Sequence, residues 1–204
     1  MASLDELNEQ IARCVKCDIA KLRTHTVPGE GNPKAHIMFI GEAPGFHEDQ
    51  QGRPFVGQAG QFLDRLLASI DLDRTKVFIA NVIKCRPPSN RDPMPTEIQN
   101  CDSWLEQQIE IIQPRMIVTL GRYSMQKFFP GKTISRIHGT AVNREGRLYF
   151  AMYHPAAALH QRSLMQALMD DMQKIPQVLA AAPTPAEPEK PKPPEAQQLN
   201  LFGD

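Results

Sequence analysis

The chain has 204 residues, 41% of them hydrophobic, and its 23 basic residues are balanced by 23 acidic ones. That is enough apolar material for one ordinary domain, and a net charge of zero excludes naming a nucleic-acid binder from charge alone. The segment Met1–Cys14 lacks the basic start and apolar run of a signal peptide, and no stretch approaches the ~20 apolar residues of a membrane span, so a cytoplasmic protein that makes no membrane contact is expected.

In chain order, a C-x-x-C pair at Cys14 and Cys17 comes first. His36–Ile40 is a brief apolar run closed by the turn residues Gly41–Gly45 (GEAPG), the pattern of a buried strand. Phe62, Leu63, Leu66, Leu67 and Ile70 then repeat at helical spacing. A second strand is expected at Val77–Ala80, a helix around Trp104, Leu105, Ile109 and Ile112, a third strand at Met116–Leu120 and a fourth at Leu148–Tyr153, followed by His154–Leu159 (HPAAAL). Basic residues bunch at Lys84–Arg86 with Arg91, at Lys132–Arg136 and near Arg144, which suits either a nucleic-acid-facing patch or solvated loops. From Ala182 the composition turns to Pro, Glu and Lys without core formers, so the expected division is a folded domain over 1–178 and a disordered tail over 179–204.

Strand-helix-strand repetition implies a parallel sheet between layers of helices. Ligands of such sheets gather where loops leave the carboxyl ends of the strands, here Gly41–Gly45, Asn81 onward, Gly121–Arg122 and His154–Leu159.

Cys14 and Cys17 are joined downstream by Cys85 and Cys101, and no cysteine is left over. Disulfides do not suit a cytosolic chain, so a tight pair plus two more thiols points to a four-thiolate site, either zinc or 4Fe-4S; spacing does not choose between them. Four protein ligands leave no open coordination position, which makes the site a clamp on the N-terminal helix and the Arg86–Asn100 connection rather than a catalytic metal.

GEAPGFHEDQQGRPFVGQAGQFLDRLL from Gly41, NVIKCRPPSNRDPMPTE from Asn81 and YHPAAAL from Tyr153 together closely resemble the family 4 uracil-DNA glycosylases over Cys14 to about Ile175. The resemblance implies a three-layer α/β/α sandwich with a central four-stranded parallel sheet, one 4Fe-4S cluster on Cys14, Cys17, Cys85 and Cys101, no nucleotide cofactor, and a uracil pocket at the carboxyl edge. It also implies a monomer that excises uracil from single- or double-stranded DNA. The chain carries Ala43 where a more distant glycosylase family with a Gly-Gln-Asp-Pro motif has its water-activating carboxylate, so that mechanism does not transfer.

Chemistry assigns the remaining residues. Asn81 can accept from uracil N3-H and donate to O4, whereas cytosine presents the opposite pattern. Phe55, in a glycine-flanked loop, offers a ring for stacking a flipped base; Gly41, Pro44 and Gly45 shape the Glu42 loop, and Gly41 and Ala43 are expected to contact the base. Cleavage leaves negative charge on uracil O2 and N1, so His154 is expected to donate at O2 and Glu42 to orient water or steady the sugar cation. The resemblance further points to Glu48 near the thymine-excluding side, and to DNA contacts from Ser135–Gly139, with Arg136 and His138, and from the HPAAAL segment, with Pro155 and Ala156. No motif nominates a Schiff-base lysine, so a monofunctional enzyme is expected. A redox or sensing module without catalysis and a structural zinc protein that binds DNA ends are the competing readings.

The tail ends in QQLNLFGD, where Gln198, Leu199, Leu201 and Phe202 come close to the Gln-Leu-x-Leu-Phe peptide by which bacterial repair proteins dock on the replication sliding clamp. An apolar anchor at the tip of a Pro-rich tether suits such a partner.

Overall fold

The structure, a computed structural model, describes residues 3–181. The expected tail beyond Ala181, including Gln198, Leu199, Leu201 and Phe202, lies outside the described residues. Helix α1 (Leu4–Ala12) begins at a reciprocal cap: Ser3 Oγ accepts from Glu6 N at 3.1 Å, and Ser3 N donates to the Glu6 carboxylate at 2.8 Å. It buries Leu7 and Ile11. There follow β1 (Glu30–Gly31), β2 (Ile37–Gly41), α2 (Phe46–Gln51), α3 (Gln58–Ala68), β3 (Phe78–Asn81), α4 (Pro95–Ile112) and β4 (Met116–Leu120). The remainder is α5 (Arg122–Phe128), α6 (Ile134–Ile137), β5 (Ala141–Arg144), β6 (Arg147–Met152), α7 (Pro155–His160) and α8 (Arg162–Ala181).

The sheet order is β1-β3-β2-β4-β6-β5. Its inner four strands are parallel and match the expected runs to within a residue at each end. The sheet has six strands rather than the expected four, because antiparallel β1 and β5 extend its two edges. Neither carries an apolar run: β1 is two residues long and β5, AVNR, is largely exposed, so their pairing comes from neighbours and turn geometry. Glu145 and Gly146, both at positive φ, make the two-residue turn that folds β5 onto β6.

Alternation along the strands builds a core on each face. Met38 and Ile40 of β2, Phe78 and Ala80 of β3 and Ile117 of β4 face α4 and α5 with Trp104, Leu105, Ile109 and Phe128. Ile37 and Phe39, Ile79, Val118 and Phe150 face α3 and α8 with Phe62, Leu63, Leu66, Leu168 and Met172. The chain runs from β2 out to β3, then returns across to β4 on the other side of β2. The carboxyl ends of β2 and β4 are therefore the switch point where a crevice opens. Among the described residues no helix is long and apolar enough to cross a membrane.

Local geometry corrects three details. His154–Leu159 is not an open loop but the cap and body of α7. The connection after Cys85 is shorter than Arg86–Asn100, since α4 starts at Pro95. Helix α8 runs through Ala181, with Pro176 inside it.

Gly60 in α3 lies against the backbone of Phe55, and a Cβ there would sit 1.6 Å from the Phe55 carbonyl oxygen. Helix propensity alone favours Gly→Ala by about 1 kcal/mol, but the clash demands that the Phe55 loop move, and overpacking typically costs about 1–3 kcal/mol. Gly60→Ala is therefore expected to lower the urea midpoint; an unchanged or raised midpoint would show that the loop gives way freely.

Candidate functional site

A pocket opens at the carboxyl edge between β2, β3 and α7, lined by Ala43, Glu48, Phe55, Asn81, His154 and Ala156. A second cleft adjoins it, sharing Ala43, His154 and Ala156 and adding Glu42, Asn90 and Arg91. The expected Glu42, Ala43, Glu48, Phe55, Asn81 and His154 thus come together, with Gly41 directly behind them.

Asn81 is the last residue of β3 and pairs in register with Gly41 of β2. A Cβ on Gly41 would lie 2.4 Å from Asn81 Oδ1 and 2.6 Å from Phe55 Cζ, so the absence of a side chain there is what admits both groups. Asn81 is buried, and among the described residues its Oδ1 is one of two buried side-chain polar atoms with no hydrogen-bond partner, the other being Asn8 Oδ1. An orphaned buried acceptor costs about 1–3 kcal/mol, which a ligand donor would recover.

Phe55 has φ 53°, a left-handed conformation unusual for a bulky residue. Two anchors hold it. Arg74 donates to the Pro54 carbonyl at 2.8 Å and also to the Phe55 carbonyl, while pairing with Glu30 and Asp64. Glu48 accepts from Gly45 N at 3.1 Å with one oxygen, and from Val56 N at 2.9 Å and Gly57 N at 2.8 Å with the other. Glu48 is thus a brace joining two loops rather than a free pocket-lip carboxylate. The Phe55 ring stacks beside the His154 imidazole, with centroids 5.5 Å apart and planes 24° from parallel.

His154 caps α7, its Nδ1 accepting from Ala156 N at 3.1 Å, which leaves the ring proton on Nε2. Burial pushes its pKa down to about 4, against a smaller upward pull from Glu48, so the imidazole is neutral near pH 7. Glu42 moves the other way. Burial, aided by Asp92 and opposed by Arg122, raises its pKa to about 7. Arg122 at the start of α5 pairs with Asp92 near this cleft, both side chains largely exposed. Together these groups give a neutral N-H donor, an amide edge, an aromatic wall and a carboxylate that changes charge near neutrality.

The expected DNA-contacting residues separate. Arg136 is exposed on α6. His138 is half-buried, its Nδ1 2.7 Å from the buried Asp171 carboxylate and its ring 4.6 Å from that of Tyr153. Pro155 is buried at the start of α7, and Ala156 sits at the pocket rim. Lys84 leaves the Lys84–Arg86 bunch, since it is 1% exposed and donates to the Asn81 carbonyl at 2.9 Å and to Gln108 Oε1 at 2.6 Å, whereas Arg86 and Arg91 are partly exposed.

Away from the pocket, Cys14, Cys17, Cys85 and Cys101 all line one space between α1, the segment after β3, and α4. Among the described residues no three His, Cys, Asp or Glu side chains gather tightly enough to hold a single ion. Three of the four sulfurs already accept N-H donors: Cys85 from Arg23 Nη1 at 3.2 Å, Cys14 from Trp104 Nε1 at 3.3 Å and Cys101 from Lys84 N at 3.2 Å. Such donors favour thiolate over thiol, even though burial raises the Cys101 thiol to about 11 and raises Cys85 as well. Four sulfurs on one space, three of them accepting N-H donors, fit a thiolate-bound metal group.

Sequence reading missed Arg74, Gln108 and the buried role of Lys84. Arg74 reaches Phe55 from 19 residues away, and no local pattern signals that contact.

The profile of the uracil DNA glycosylase superfamily matches residues 28–175. The type-4 uracil-DNA glycosylase of Archaeoglobus fulgidus is 48% identical, over 86% of this chain and 92% of its own. That of Sulfurisphaera tokodaii is 46% identical over 86% and 84% respectively, and that of Thermotoga maritima 40% identical over 84% and 92%.

Carbon- and nitrogen-detected NMR titrations check the electrostatics. Glu42 is expected to titrate near 7, and Asp92→Asn to lower that midpoint, because the Asp92 charge raises it. His154 is expected to stay neutral, with its proton on Nε2, until about pH 4. A Glu42 midpoint at the ordinary 4.5 or a His154 midpoint at 6.5 would contradict the burial described here.

Proposed function

The chain belongs to the uracil DNA glycosylase superfamily and within it to the type-4 uracil-DNA glycosylases, and from that premise we propose that it flips uracil out of DNA and hydrolyses the N-glycosidic bond, leaving an abasic site and free uracil. The observation that carries this reading is the unpartnered Asn81 Oδ1 buried in the pocket. It is an acceptor awaiting a donor, as uracil N3-H supplies and cytosine N3 does not.

In the proposed mechanism the extruded base enters between Phe55 and Asn81, the cost of unstacking being a few kcal/mol. Asn81 takes N3-H on its Oδ1 and donates its amide N-H to O4. The neutral His154 donates Nε2-H to O2, so that when the C1′–N1 bond breaks and its electron pair passes to the base, the charge meets a fixed donor in a dry site; one such donor is worth about 10²–10³ in rate. Glu42 as carboxylate orients a water toward C1′ and receives its proton while the sugar is cationic. Among the described residues, neither the pocket nor the cleft is lined by a lysine, which supports hydrolysis without a lyase step. Exclusion of thymine is assigned to the wall that Glu48 braces, a steric limit at the base's C5 side.

A 4Fe-4S cluster on Cys14, Cys17, Cys85 and Cys101 is the group these four thiols suit, and when bound it supplies a structural cross-link rather than chemistry on the base. The shared cavity and the three N-H donors to sulfur support it. Arg136, the free edge of His138 and the start of α7 at Pro155 and Ala156 are assigned to the DNA backbone around the flipped nucleotide. The C-terminal peptide Gln198, Leu199, Leu201 and Phe202 is proposed to dock on the sliding clamp of the replication machinery, with the chain acting as a monomer in the cytoplasm.

The first test is single-turnover release of uracil from a U·G oligonucleotide by anaerobically purified, brown protein. Asn81→Ala should slow release at least ~30-fold, from two lost hydrogen bonds at about 1 kcal/mol or more each. The wild-type rate should climb with pH and level off above about 7 as Glu42 ionises; a brown protein that releases no uracil would favour a sensing or binding module, and a colourless one a zinc site. Deleting Gln198–Asp204 should leave excision from a short oligonucleotide intact and abolish clamp binding, whereas clamp binding unaffected by the deletion would refute the docking role.

A further inference from the structure

Lys84 presents a charge that the mechanism does not use. Its side chain is 1% exposed, and its ammonium donates to two neutral oxygens, the Asn81 carbonyl at 2.9 Å and Gln108 Oε1 at 2.6 Å. Among the described residues no carboxylate pairs with it, although a buried ammonium held only by neutral acceptors is strongly disfavoured. Lys84 shares one space with the sulfurs of Cys101 and Cys85. Lys84 precedes Cys85 in the chain, its own backbone N-H donates to Cys101 Sγ at 3.2 Å, and it lines the thiol cavity. Gln108, its other partner, lies on α4 two turns beyond Cys101 and donates in turn to the Pro28 carbonyl at 2.8 Å, which fixes the amide oxygen toward the ammonium.

We propose that the Lys84 ammonium is the buried counter-charge of the group held by the four thiolates, and that it helps set the retention and reduction potential of that group. The assignment rests on the iron-sulfur reading given above. An iron-sulfur group with four thiolate ligands carries net negative charge, and hydrogen bonds, nearby charge and exposure set its potential. Arg23 also donates to a ligand sulfur, but its side chain is only half-buried, so solvent screens it; Lys84 has no such screening. Because the same ammonium holds the Asn81 carbonyl, it stands between the thiolate site and the residue that reads the base.

The test uses anaerobically purified full-length protein, with the midpoint measured by voltammetry and the loss of visible absorption followed in excess chelator. Lys84→Met keeps the aliphatic stem and removes the charge. Its midpoint is expected to shift negative and its colour to bleach severalfold faster than wild type. Gln108→Glu leaves Lys84 in place but sets a carboxylate on it, and should shift the midpoint in the same direction even where Lys84→Met fails to fold. Wild-type midpoint and bleaching in both variants, together with slowed uracil release in Lys84→Met, would reduce Lys84 to a brace for Asn81 and overturn the proposal. A colourless wild type would instead overturn the iron-sulfur reading itself, so the two failures are distinguishable.

Discussion

Glu48 is the contact on which the rest of the pocket depends. Its two carboxylate oxygens accept three backbone N-H groups, from Gly45 at the end of the GEAPG turn and from Val56 and Gly57 beyond the aromatic. Charge-assisted bonds of this kind are roughly twice as strong as neutral ones. They fasten the loop leaving β2 to the loop carrying Phe55, with Arg74 gripping the second loop from behind through the Pro54 and Phe55 carbonyls. A left-handed phenylalanine costs of order 1–3 kcal/mol and persists only where its surroundings over-determine it. Here an anion and a cation on opposite sides of one short segment do so, and Gly41 and Gly60 give up their side chains to make room.

The same burial that shapes the pocket divides its titratable groups. Removing solvent disfavours whichever form is charged, so one environment lifts Glu42 to about 7 and drops His154 to about 4. Two side chains that would both be ionised in acidic water become a neutral donor and a carboxylate poised near neutrality. The helix cap adds what burial cannot: by accepting from Ala156 N, His154 Nδ1 commits the ring to the tautomer with its proton on Nε2. Position at the end of β6 and the start of α7 therefore sets both the charge and the direction of that donor.

What the sequence made legible was what is local. The four parallel strands are short apolar runs, and Glu42, Asn81 and His154 each stand just past or at the end of one, so the sheet carries them to a single edge without further information. The two edge strands escaped because neither is apolar, one being a dipeptide and the other a solvent-facing half of a hairpin. Side-chain destinations set by distant contacts escaped as well. Nothing near Glu48 announces that Val56 and Gly57 will satisfy it, nothing near Arg74 points to Phe55, and a basic run counted as surface hides Lys84 in the core. Charge counting treats a lysine as solvated by default, and only the packed positions of Gln108 and the Asn81 carbonyl reveal otherwise.

The thiol site and the pocket are separate, yet one segment of chain serves both. Between Cys85 and Cys101 run Pro87, Asn90 and Arg91, which form the outer wall of the cleft beside Glu42. Arg91 is tied to Glu97 by two hydrogen bonds, at 2.6 and 2.9 Å, and Glu97 accepts Met94 N at the start of α4, so the wall is anchored to that helix. With the proposed group bound, Cys85 and Cys101 would be joined across a loop of this length, and closure of a roughly 15-residue loop by a covalent link would remove about 3 kcal/mol of unfolded-chain entropy in the chain-entropy treatment. A segment whose Pro88, Ser89 and Asn90 are exposed has little apolar surface with which to hold its own shape. Fastening both its ends through the proposed group would give it order without asking it to pack, which would let a polar segment line the cleft and still keep its place beside the carboxylate.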